Sequence, residues 1–353
     1  MHLFVDISSH GFGHLAITAP VLDALAKIAP NLRLTVRTRL ARQLLVQRIH
    51  VPFELIEAST DFGYVMIDAT HIDLPASAAA YRQAHADWPG RVSAEARFLA
   101  SRKPDLVLTN VSYLPLAGAA LAGVPSLNWA DLFAHFFGDE PWAASIHAEM
   151  LAAYRAAQSF LRVTPGMPMP QLGNVVKIGP IAAIGQKHEL DAGVGVGAKL
   201  GGDQAILIAM GGIAHRLPLE QWPRLPGLRW LVAADWHCQH PDAIAFESFG
   251  LNFSDLLCSV DAVITKPGYG TFTEAAYNGT PVLYQRRTDW PEQDCLIEWL
   301  GQHGNAREVA AEALQTGELA ASLGLLRQQA AISRPQASGA AEAAAQILSL
   351  MAG

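Results

Sequence analysis

Residues 261 to 274 read Asp-Ala-Val-Ile-Thr-Lys-Pro-Gly-Tyr-Gly-Thr-Phe-Thr-Glu, which combines a strand, a glycine-rich turn and the start of a helix. The apolar run from Ala262 to Thr265 predicts a buried strand, and we expect a helix to begin near Thr271. Gly268 and Gly270 lack a Cβ, so a ligand can come close to the backbone. Because the first amides of a helix have no partners within it, this turn is suited to bind phosphate.

Two side chains extend this prediction from phosphate to a sugar nucleotide. Lys266 adds a positive charge at the turn, and Glu274 lies one helical turn further on, where its carboxylate can accept hydrogen bonds from hydroxyl groups. A pyrophosphate on the amides and a ribose on the glutamate would use both features. The alternative is an ordinary strand–turn–helix corner, since a short glycine motif is weak evidence by itself.

The composition indicates a globular protein of about two domains. The chain has 353 residues, of which 51% are hydrophobic and 16% are charged, so it can bury large cores. Its formal net charge of −7, without a run of Lys or Arg, argues against a nucleic acid partner. Cys238, Cys258 and Cys295 are widely spaced, which is typical of a reducing cytoplasm and gives no zinc or disulfide pattern.

We expect a cytoplasmic protein. The N-terminal residues 1–7 lack the basic region of a signal peptide. No apolar segment of the sequence reaches the roughly 18 uninterrupted residues that a membrane span needs. Peripheral association with a membrane, through an exposed apolar patch, stays open as an alternative.

Short runs rich in Val, Ile and Leu alternate with Ala-rich stretches of helical period, which is typical of parallel sheets covered by helices. The predicted strands are 2–8, 32–38, 52–56, 105–110, 125–129, 205–210, 228–233, 262–265 and 281–285. Gly- and Pro-rich segments at 164–170 and 193–197 indicate a linker. The sequence therefore predicts an α/β protein with two Rossmann-like, doubly wound domains facing across a cleft.

We place the domain boundary near residue 183. Residues 1–183 would form an N-terminal acceptor-side domain, and residues 184–338 a C-terminal donor-binding domain. The Ala-rich tail, 339–353, predicts a helix that packs back on either domain, and we assign it to the first. In open α/β sheets, ligands bind at the carboxyl ends of the strands, so the loops there are the candidate site.

The loop after the first strand contains two histidines, His10 and His14, and two glycines. Histidine can take a proton from a hydroxyl group near neutral pH, so His14, at the start of the next helix, is a candidate general base. The alternative is that these histidines only shape the turn, which we favour for His10.

A rival interpretation of the same loop is a dinucleotide site. Residues 11–16 fit Gly-x-Gly-x-x-Ala after a strand, and the second strand ends in Arg37-Thr38-Arg39, where an NADP enzyme would hold a 2′-phosphate. Against an NADP-binding oxidoreductase, Phe12 and His14 are bulky where a pyrophosphate needs small residues. This interpretation also leaves the second glycine-rich turn without a role.

Four motifs at the ends of predicted strands form a set. They are Gly11-Phe12-Gly13-His14 with Pro20, Ala209-Met210-Gly211-Gly212-Ile213, Ile264 to Glu274, and Gly279 to Tyr284 followed by Pro291-Glu292-Gln293. Together they resemble those of the GT-B glycosyltransferases. The most similar branches are the UDP-glycosyltransferases, the diacylglycerol glycosyltransferases and the lipid-II-forming N-acetylglucosaminyl transferase. The third motif is the most specific of the four.

The resemblance implies a nucleotide-sugar donor, with a UDP-sugar favoured, and a small-molecule or lipid acceptor. The implied donor-binding residues are Gly13, Gly211, Gly212, Trp236, Lys266, Gly268, Tyr269, Gly270, Thr271, Glu274, Glu292 and Gln293. Among them, Trp236 would stack on the nucleobase, and Glu292 and Gln293 would hold hydroxyls of the donor sugar. Transfer would be a single displacement with inversion, with His14 as the base.

The resemblance implies no metal or other cofactor. Lysine and helix amides can offset the charge of the departing diphosphate. The sequence also contains no Asp-x-Asp, the pattern of a metal-dependent sugar transferase.

One position departs from the family's pattern. Many members have an aspartate that pairs with the catalytic histidine, and the matching residue here is Asn110. An amide can orient an imidazole but cannot stabilise its positive charge as a carboxylate does. Asp131 is a candidate substitute, with a helix N-cap as its alternative role. This departure keeps open a sugar-nucleotide epimerase or hydrolase, and a non-catalytic nucleotide-sugar-binding protein.

Overall fold

Two parallel β-sheets form the framework of the protein. The computed structural model describes residues 1–61, 63–122, 126–128, 133–190, 200, 202–212, 215–330 and 332–352. The chain divides into two compact units: Met1–Ile67, Ile72–Ile181 and Ala337–Gly353 in the first, and Asp68–His71 and Ala182–Gln336 in the second. Each unit holds one parallel sheet with helices between most of its successive strands, which confirms the predicted doubly wound α/β fold.

The sheet of the first unit has seven strands in the order β3-β2-β1-β4-β5-β6-β7. The strands are β1 (His2–Ile7), β2 (Arg33–Thr38), β3 (Glu54–Glu57), β4 (Leu106–Asn110), β5 (Ser126–Asn128), β6 (Ser159–Arg162) and β7 (Val175–Lys177). The order reverses at the neighbours β1 and β4, where Ile7 pairs with Asn110. Such a reversal is the point at which open α/β sheets bind ligands, so the ends of β1 and β4 position a site.

Helices of the first unit connect these strands. They are α1 (Gly13–Ile28), α2 (Arg42–Val46), α3 (Leu74–His85), α4 (Trp88–Arg102), α5 (Leu114–Ala122), α6 (Phe133–Phe137) and α7 (Ala143–Ala156). In α1, Leu15, Leu22 and Leu25 recur at helical spacing and are buried. Because α1 starts six residues after β1 ends, its first turn, with His14, lies at the strand reversal.

The sheet of the second unit has the order β10-β9-β8-β11-β12-β13. The strands are β8 (Gln204–Ile208), β9 (Leu228–Val232), β10 (Ala243–Ala245), β11 (Ala262–Thr265), β12 (Val282–Tyr284) and β13 (Ala306–Glu308). Here the order reverses between β8 and β11, where Ile208 pairs with Ile264. Gly211 follows β8 and Lys266 follows β11, so the two glycine-rich motifs meet at this second reversal.

The remaining helices complete both units. They are α8 (Phe253–Ser259), α9 (Tyr269–Asn278), α10 (Gln293–His303), α11 (Ala311–Thr316), α12 (Ala320–Arg327) and α13 (Gly339–Ala352). Helix α9 begins two residues before the predicted start near Thr271. It ends at Gly279, whose left-handed backbone (φ 72°) lets its N–H bond to carbonyl groups of the last turn. Helix α13 packs against α1 and β4. No described helix is long and apolar enough to cross a membrane.

Candidate active site

His14 and Asn110 are in direct contact at the strand reversal of the first unit. Nδ1 of His14 lies 2.8 Å from Oδ1 of Asn110. The amide nitrogen of Asn110 donates to the backbone carbonyl of His14 (3.2 Å) and to Oγ1 of Thr18 (3.1 Å). Asn110 is 2% exposed and Thr18 is fully buried, so this arrangement is fixed within the core.

These bonds determine which nitrogen of His14 carries the proton. The NH₂ group of Asn110 is directed at two other acceptors, so its oxygen faces the ring and can only accept. Nδ1 of His14 therefore holds the proton and donates it to Asn110. This leaves the lone pair of Nε2 on the far side of the ring, as a general base requires.

Gly13 and Asp131 are the other predicted site residues of the N-terminal half. Gly13 is the first residue of α1, and a Cβ added to it would meet no atom within 4 Å. Asp131, the predicted substitute carboxylate, lies outside the described residues. The roles assigned to these residues stay predictions.

The structure removes one support for the NADP alternative. The guanidinium of Arg37 forms ion pairs with Asp6 (2.5 Å) and Glu95 (2.5 Å), and Arg37 is 4% exposed. An arginine that is buried between two carboxylates is not available to bind a 2′-phosphate.

In the second unit, the ammonium group of Lys266 lies beside both glycine-rich turns. A Cβ on Gly211 would be 3.5 Å from Nζ of Lys266, and a Cβ on Gly268 would be 3.9 Å from it. Gly211 has a left-handed backbone (φ 91°), which disfavours any side chain there. The glycines therefore leave open backbone around a lysine charge, which is a suitable surface for a phosphate group.

Burial sets the charge state of this lysine. Burial, together with the positive charge of Arg287, lowers the pKa of Lys266 to about 7, and Glu292 acts in the opposite direction. The protonated, positively charged form of Lys266 is thus disfavoured in the free protein. A negatively charged ligand would favour that protonated form.

The start of α9 adds amide groups to this surface. Gly268 is the N-cap residue and provides no side-chain cap, and Tyr269, Gly270 and Thr271 form the first turn. The amides of a first turn have no acceptor within the helix and lie at the positive end of its dipole. Glu274 belongs to the same helix and is 1% exposed, so a ribose would have to reach a buried carboxylate.

Sequence reasoning missed Arg287, a second cation, whose charge acts on Lys266. It is 7% exposed, and its guanidinium carbon lies 3.5 Å from the ring centroid of Trp290. Burial lowers the pKa of Arg287 to about 10, and Glu292 and Asp68 act against this effect. Nε of Arg287 has no hydrogen-bond partner among the residues that the structure describes. The available signal was the Arg286-Arg287 pair, which begins two residues after the end of β12, the neighbour of β11.

Gln293 supports the backbone of Arg287. Its side-chain oxygen accepts from the N–H of Arg287 (2.9 Å), and its NH₂ group donates to the carbonyl of the same residue (3.1 Å). Binding a sugar hydroxyl, as predicted for Gln293, would have to replace or share these bonds. Glu292 precedes it as the N-cap residue of α10.

Two further predicted features lie near this region of the second unit. Trp236 ends a short 3₁₀ turn after β9 and packs partly buried against the core. Gly212 follows Gly211 at the exposed end of β8. Within the described part of the chain, no group of three or more His, Cys, Asp or Glu side chains is arranged to hold a metal ion.

Comparison with known proteins identifies the fold. No protein-family model matches the sequence, and no curated protein matches it. The glycotransferase of kitacinnamycin is similar over 99% of both chains, with a TM-score of 0.67 and 16% identity. The calicheamicin glycosyltransferase CalG4 is similar over 99% of this chain and 98% of its own, with a TM-score of 0.64 and 15% identity.

A third solved structure contains a nucleotide. The spinosyn rhamnosyltransferase SpnG complexed with thymidine diphosphate is similar over 100% of this chain and 96% of its own, with a TM-score of 0.56 and 16% identity. Each of these neighbours is a glycosyltransferase of the GT-B type, built from two Rossmann-like domains. The chain therefore adopts the GT-B fold that the four sequence motifs predict.

Proposed function

We propose that this protein transfers a sugar from a nucleotide sugar to an acceptor hydroxyl, with inversion at the anomeric carbon. One observation carries the proposal: the bonds of Asn110 hold His14 as the tautomer with an available Nε2. Full-length similarity to glycosyltransferase structures supports the same reaction class.

The proposed step is a single displacement. Nε2 of His14 takes the proton of the acceptor hydroxyl while its oxygen forms a bond to the anomeric carbon. On the opposite side, the bond between that carbon and the diphosphate oxygen breaks, and its electron pair leaves with the nucleoside diphosphate. The proton on His14 then passes to solvent.

Lys266, Arg287 and the amides of residues 268–271 would offset the charge of the departing diphosphate. Donors already held in place need no reorganisation during the reaction. Because Lys266 is only partly protonated in the free protein, its full charge would develop as the diphosphate binds. In this proposal the step needs no metal ion or other cofactor.

The donor class follows from the resemblance and the neighbours. We favour a UDP-sugar, with the uracil on Trp236, the ribose on Glu274 and the sugar hydroxyls on Glu292 and Gln293. TDP-sugars are the second class to examine, because the spinosyn rhamnosyltransferase is complexed with thymidine diphosphate. The acceptor would be a small molecule or a lipid. For a lipid acceptor, the proposal includes peripheral association of the protein with a membrane surface.

We place the reaction in the cytoplasm. Cys238, Cys258 and Cys295 are all unpaired, as the sequence pattern indicates for a reducing compartment.

The test is nucleotide release from UDP-, TDP- and GDP-sugars by the purified protein, with and without a panel of hydroxyl acceptors. We expect release with one nucleotide class, and loss of release in His14→Ala with donor affinity unchanged. His50→Ala is the matched control, because His50 is exposed and pairs with Asp23 on the surface. Full activity in His14→Ala would refute the role of His14.

A non-catalytic nucleotide-sugar-binding protein is the second candidate. Asn110 favours it, because an amide brings no negative charge to His14. Tight binding of a nucleotide sugar, with no nucleotide released in the presence of any acceptor of the panel, would support this candidate over sugar transfer.

A further inference from the structure

His215 lies in the loop after β8, four residues beyond Gly211. Its side chain is 13% exposed, and its Nε2 atom is buried without a hydrogen-bond partner among the described residues. The next residue, Arg216, is exposed and pairs with Glu220. On the other side of the ring, Nδ1 of His215 lies 3.7 Å from Oδ1 of Asp68. The imidazole therefore faces a carboxylate with one nitrogen and is open to a ligand with the other, since a buried polar atom is costly until it is bonded.

Asp68 is held beside this loop by packing. It belongs to a short segment from the first half of the sequence that forms part of the second unit. Ala69, the next residue of the segment, is fully buried in the same apolar cluster as Met210 and Leu217. Met210 and Leu217 precede and follow the loop that carries His215, so the packing of Ala69 fixes the position of Asp68 relative to that loop.

Asp68 is an ionised carboxylate with defined bonds. Its Oδ1 accepts from the backbone N–H (2.6 Å) and the hydroxyl (2.7 Å) of Thr70, and its Oδ2 lies 2.9 Å from Nδ1 of His71. Burial acts against ionisation, but the bonds from Thr70 and His71 lower the pKa of Asp68 to about 2. Asp68 is therefore negatively charged near neutral pH and can accept a hydrogen bond from Nδ1 of His215.

The loop of His215 also borders the phosphate surface at Lys266. A Cβ on Gly211, in this loop, would be 3.5 Å from Nζ of Lys266. Burial, above all, lowers the pKa of His215, and the positive charges of His71 and Lys266 act in the same direction. Asp68 acts against them. The imidazole is therefore mainly neutral at pH 7 in the free protein, and a bound anion would offset the positive charges that keep it neutral.

We propose that His215 is a further donor-binding residue, which binds a phosphate oxygen of the nucleotide sugar through Nε2 while Asp68 orients its ring. This inference rests on the proposed function, because its ligand is the diphosphate that Lys266 would also bind. Nδ1 keeps its proton towards Asp68, and Nε2 takes up a proton from solvent as the diphosphate binds. The imidazolium then has an anionic acceptor on each side, and hydrogen bonds between charged groups are the strong ones. Asp68 acts only through His215 and is a positioning residue.

The test is calorimetric titration of the full chain with UDP and TDP at pH 6.0 and 7.5, in buffers of different ionisation enthalpy. In His215→Gln at pH 6.0, we expect the affinity to fall about tenfold and the proton uptake to fall by about half a proton, because glutamine does not titrate. At pH 7.5 the affinity should fall less than about threefold, and the uptake should be unchanged because Lys266 accounts for it. The phosphate of the ligand titrates equally in every experiment, so differences between variants report the protein.

His188→Gln is the matched control, because His188 belongs to the same unit and its Nε2 also lies 3.7 Å from an aspartate, Asp255. This variant should keep the original affinity and proton uptake at both pH values. Equal results in His215→Gln and His188→Gln at pH 6.0 would overturn the inference. A loss of affinity of the same size at both pH values, with unchanged uptake, would indicate a structural role and would also contradict us.

Asp68→Asn tests the positioning role. Asparagine keeps an oxygen for Thr70 but has no charge, so the protonated form of His215 loses its opposite charge. The uptake that depends on His215 should therefore shrink at pH 6.0 and move to lower pH. Unchanged uptake at pH 6.0 in this variant would refute the role of Asp68. If His215→Gln does not fold, His215→Phe keeps a ring of similar size and serves in its place.

The inference and the proposed function fail separately, because binding needs no turnover. A protein that binds UDP or TDP through His215 but transfers no sugar would support the inference alone. Binding that is unchanged in His215→Gln at pH 6.0 would refute the inference and leave sugar transfer standing. If the original protein binds neither UDP nor TDP, the inference falls together with the proposed donor site.

Discussion

The side-chain amide of Gln293 forms two hydrogen bonds with the backbone of Arg287: its oxygen accepts from the N–H of that residue, and its nitrogen donates to the carbonyl. Both groups are buried. The guanidinium that lies near Lys266 thus depends on an amide from the start of α10. This relationship gives Gln293 a function that does not require contact with the donor sugar.

Gln293→Ala distinguishes these two roles. If Gln293 mainly positions Arg287, the variant loses two buried hydrogen bonds and about 1–3 kcal/mol of stability, and it binds both the free nucleoside diphosphate and the nucleotide sugar more weakly. Calorimetric titration with both ligands, together with thermal unfolding, measures this. Weaker binding of the nucleotide sugar alone, with normal stability, would assign Gln293 to the sugar. Gln302→Ala, on the exposed face of α10, is the control.

Nucleotide-sugar binding should depend on pH through Lys266. Its pKa of about 7 leaves roughly half of the lysine uncharged at pH 7, and a bound diphosphate favours the charged form. Binding should therefore take up a proton, and the affinity should fall as the pH rises above 7. Calorimetry at pH 7.5 in buffers of different ionisation enthalpy, such as PIPES and Tris, measures the uptake. The Lys266→Arg variant should bind without it, and equal affinities at pH 6.5 and 8.5 would contradict this account.

Asn110→Ala should lower kcat about 10- to 100-fold, because the ring of His14 loses the acceptor that fixes its tautomer. Donor affinity should stay within twofold of the original protein, because Asn110 belongs to the first unit and the residues that we propose to bind the nucleotide belong to the second. Steady-state kinetics and donor titration check both points. A variant with unchanged kcat would show that the orientation of the ring does not limit the reaction.

Gly211→Ala should weaken nucleotide binding beyond its effect on folding. A left-handed backbone with a Cβ costs about 1–2 kcal/mol, and this Cβ would also lie 3.5 Å from Nζ of Lys266. Gly202→Ala is a matched control, since Gly202 has a similar φ of 84° but no atom within 4 Å of the added Cβ. Both variants should unfold at lower temperature, and only Gly211→Ala should lose nucleotide affinity. Equal affinities in the two variants would remove Gly211 from the site.

The sequence predicts most of the sheet framework because the central strands are apolar. The strands β1, β4, β9 and β11 fall within predicted segments, β8 begins one residue before its segment, and all five are largely buried. The strands β6, β7, β10 and β13 were missed. The strand β6 is buried but has only four residues, and β7 has three residues at a sheet edge. The strands β10 and β13 share a different reason. Each has three residues, lies at a sheet edge and is only partly buried, so no apolar run marks it.

The site was predictable only where a motif lies directly after a strand. His14, Gly211 and Lys266 follow their strands closely, and the fold places each at a strand reversal. Arg287 carries no such motif. Its effect on Lys266 depends on how the loops after β11 and β12 pack, which periodicity and spacing do not report.

The two N–H groups of Asn110 have a consequence for protein engineering. Replacing Asn110 with aspartate is the obvious way to place a negative charge beside His14. An ionised carboxylate, however, has no hydrogen to donate to the backbone carbonyl of His14, which lies 3.2 Å from the amide nitrogen of Asn110. Two oxygens would then repel each other at the base of α1. The helix α1, which carries His14, would lose part of its attachment to β4. Asn110 thus orients the His14 ring and also attaches α1 to β4. A substitution at this position changes both at once.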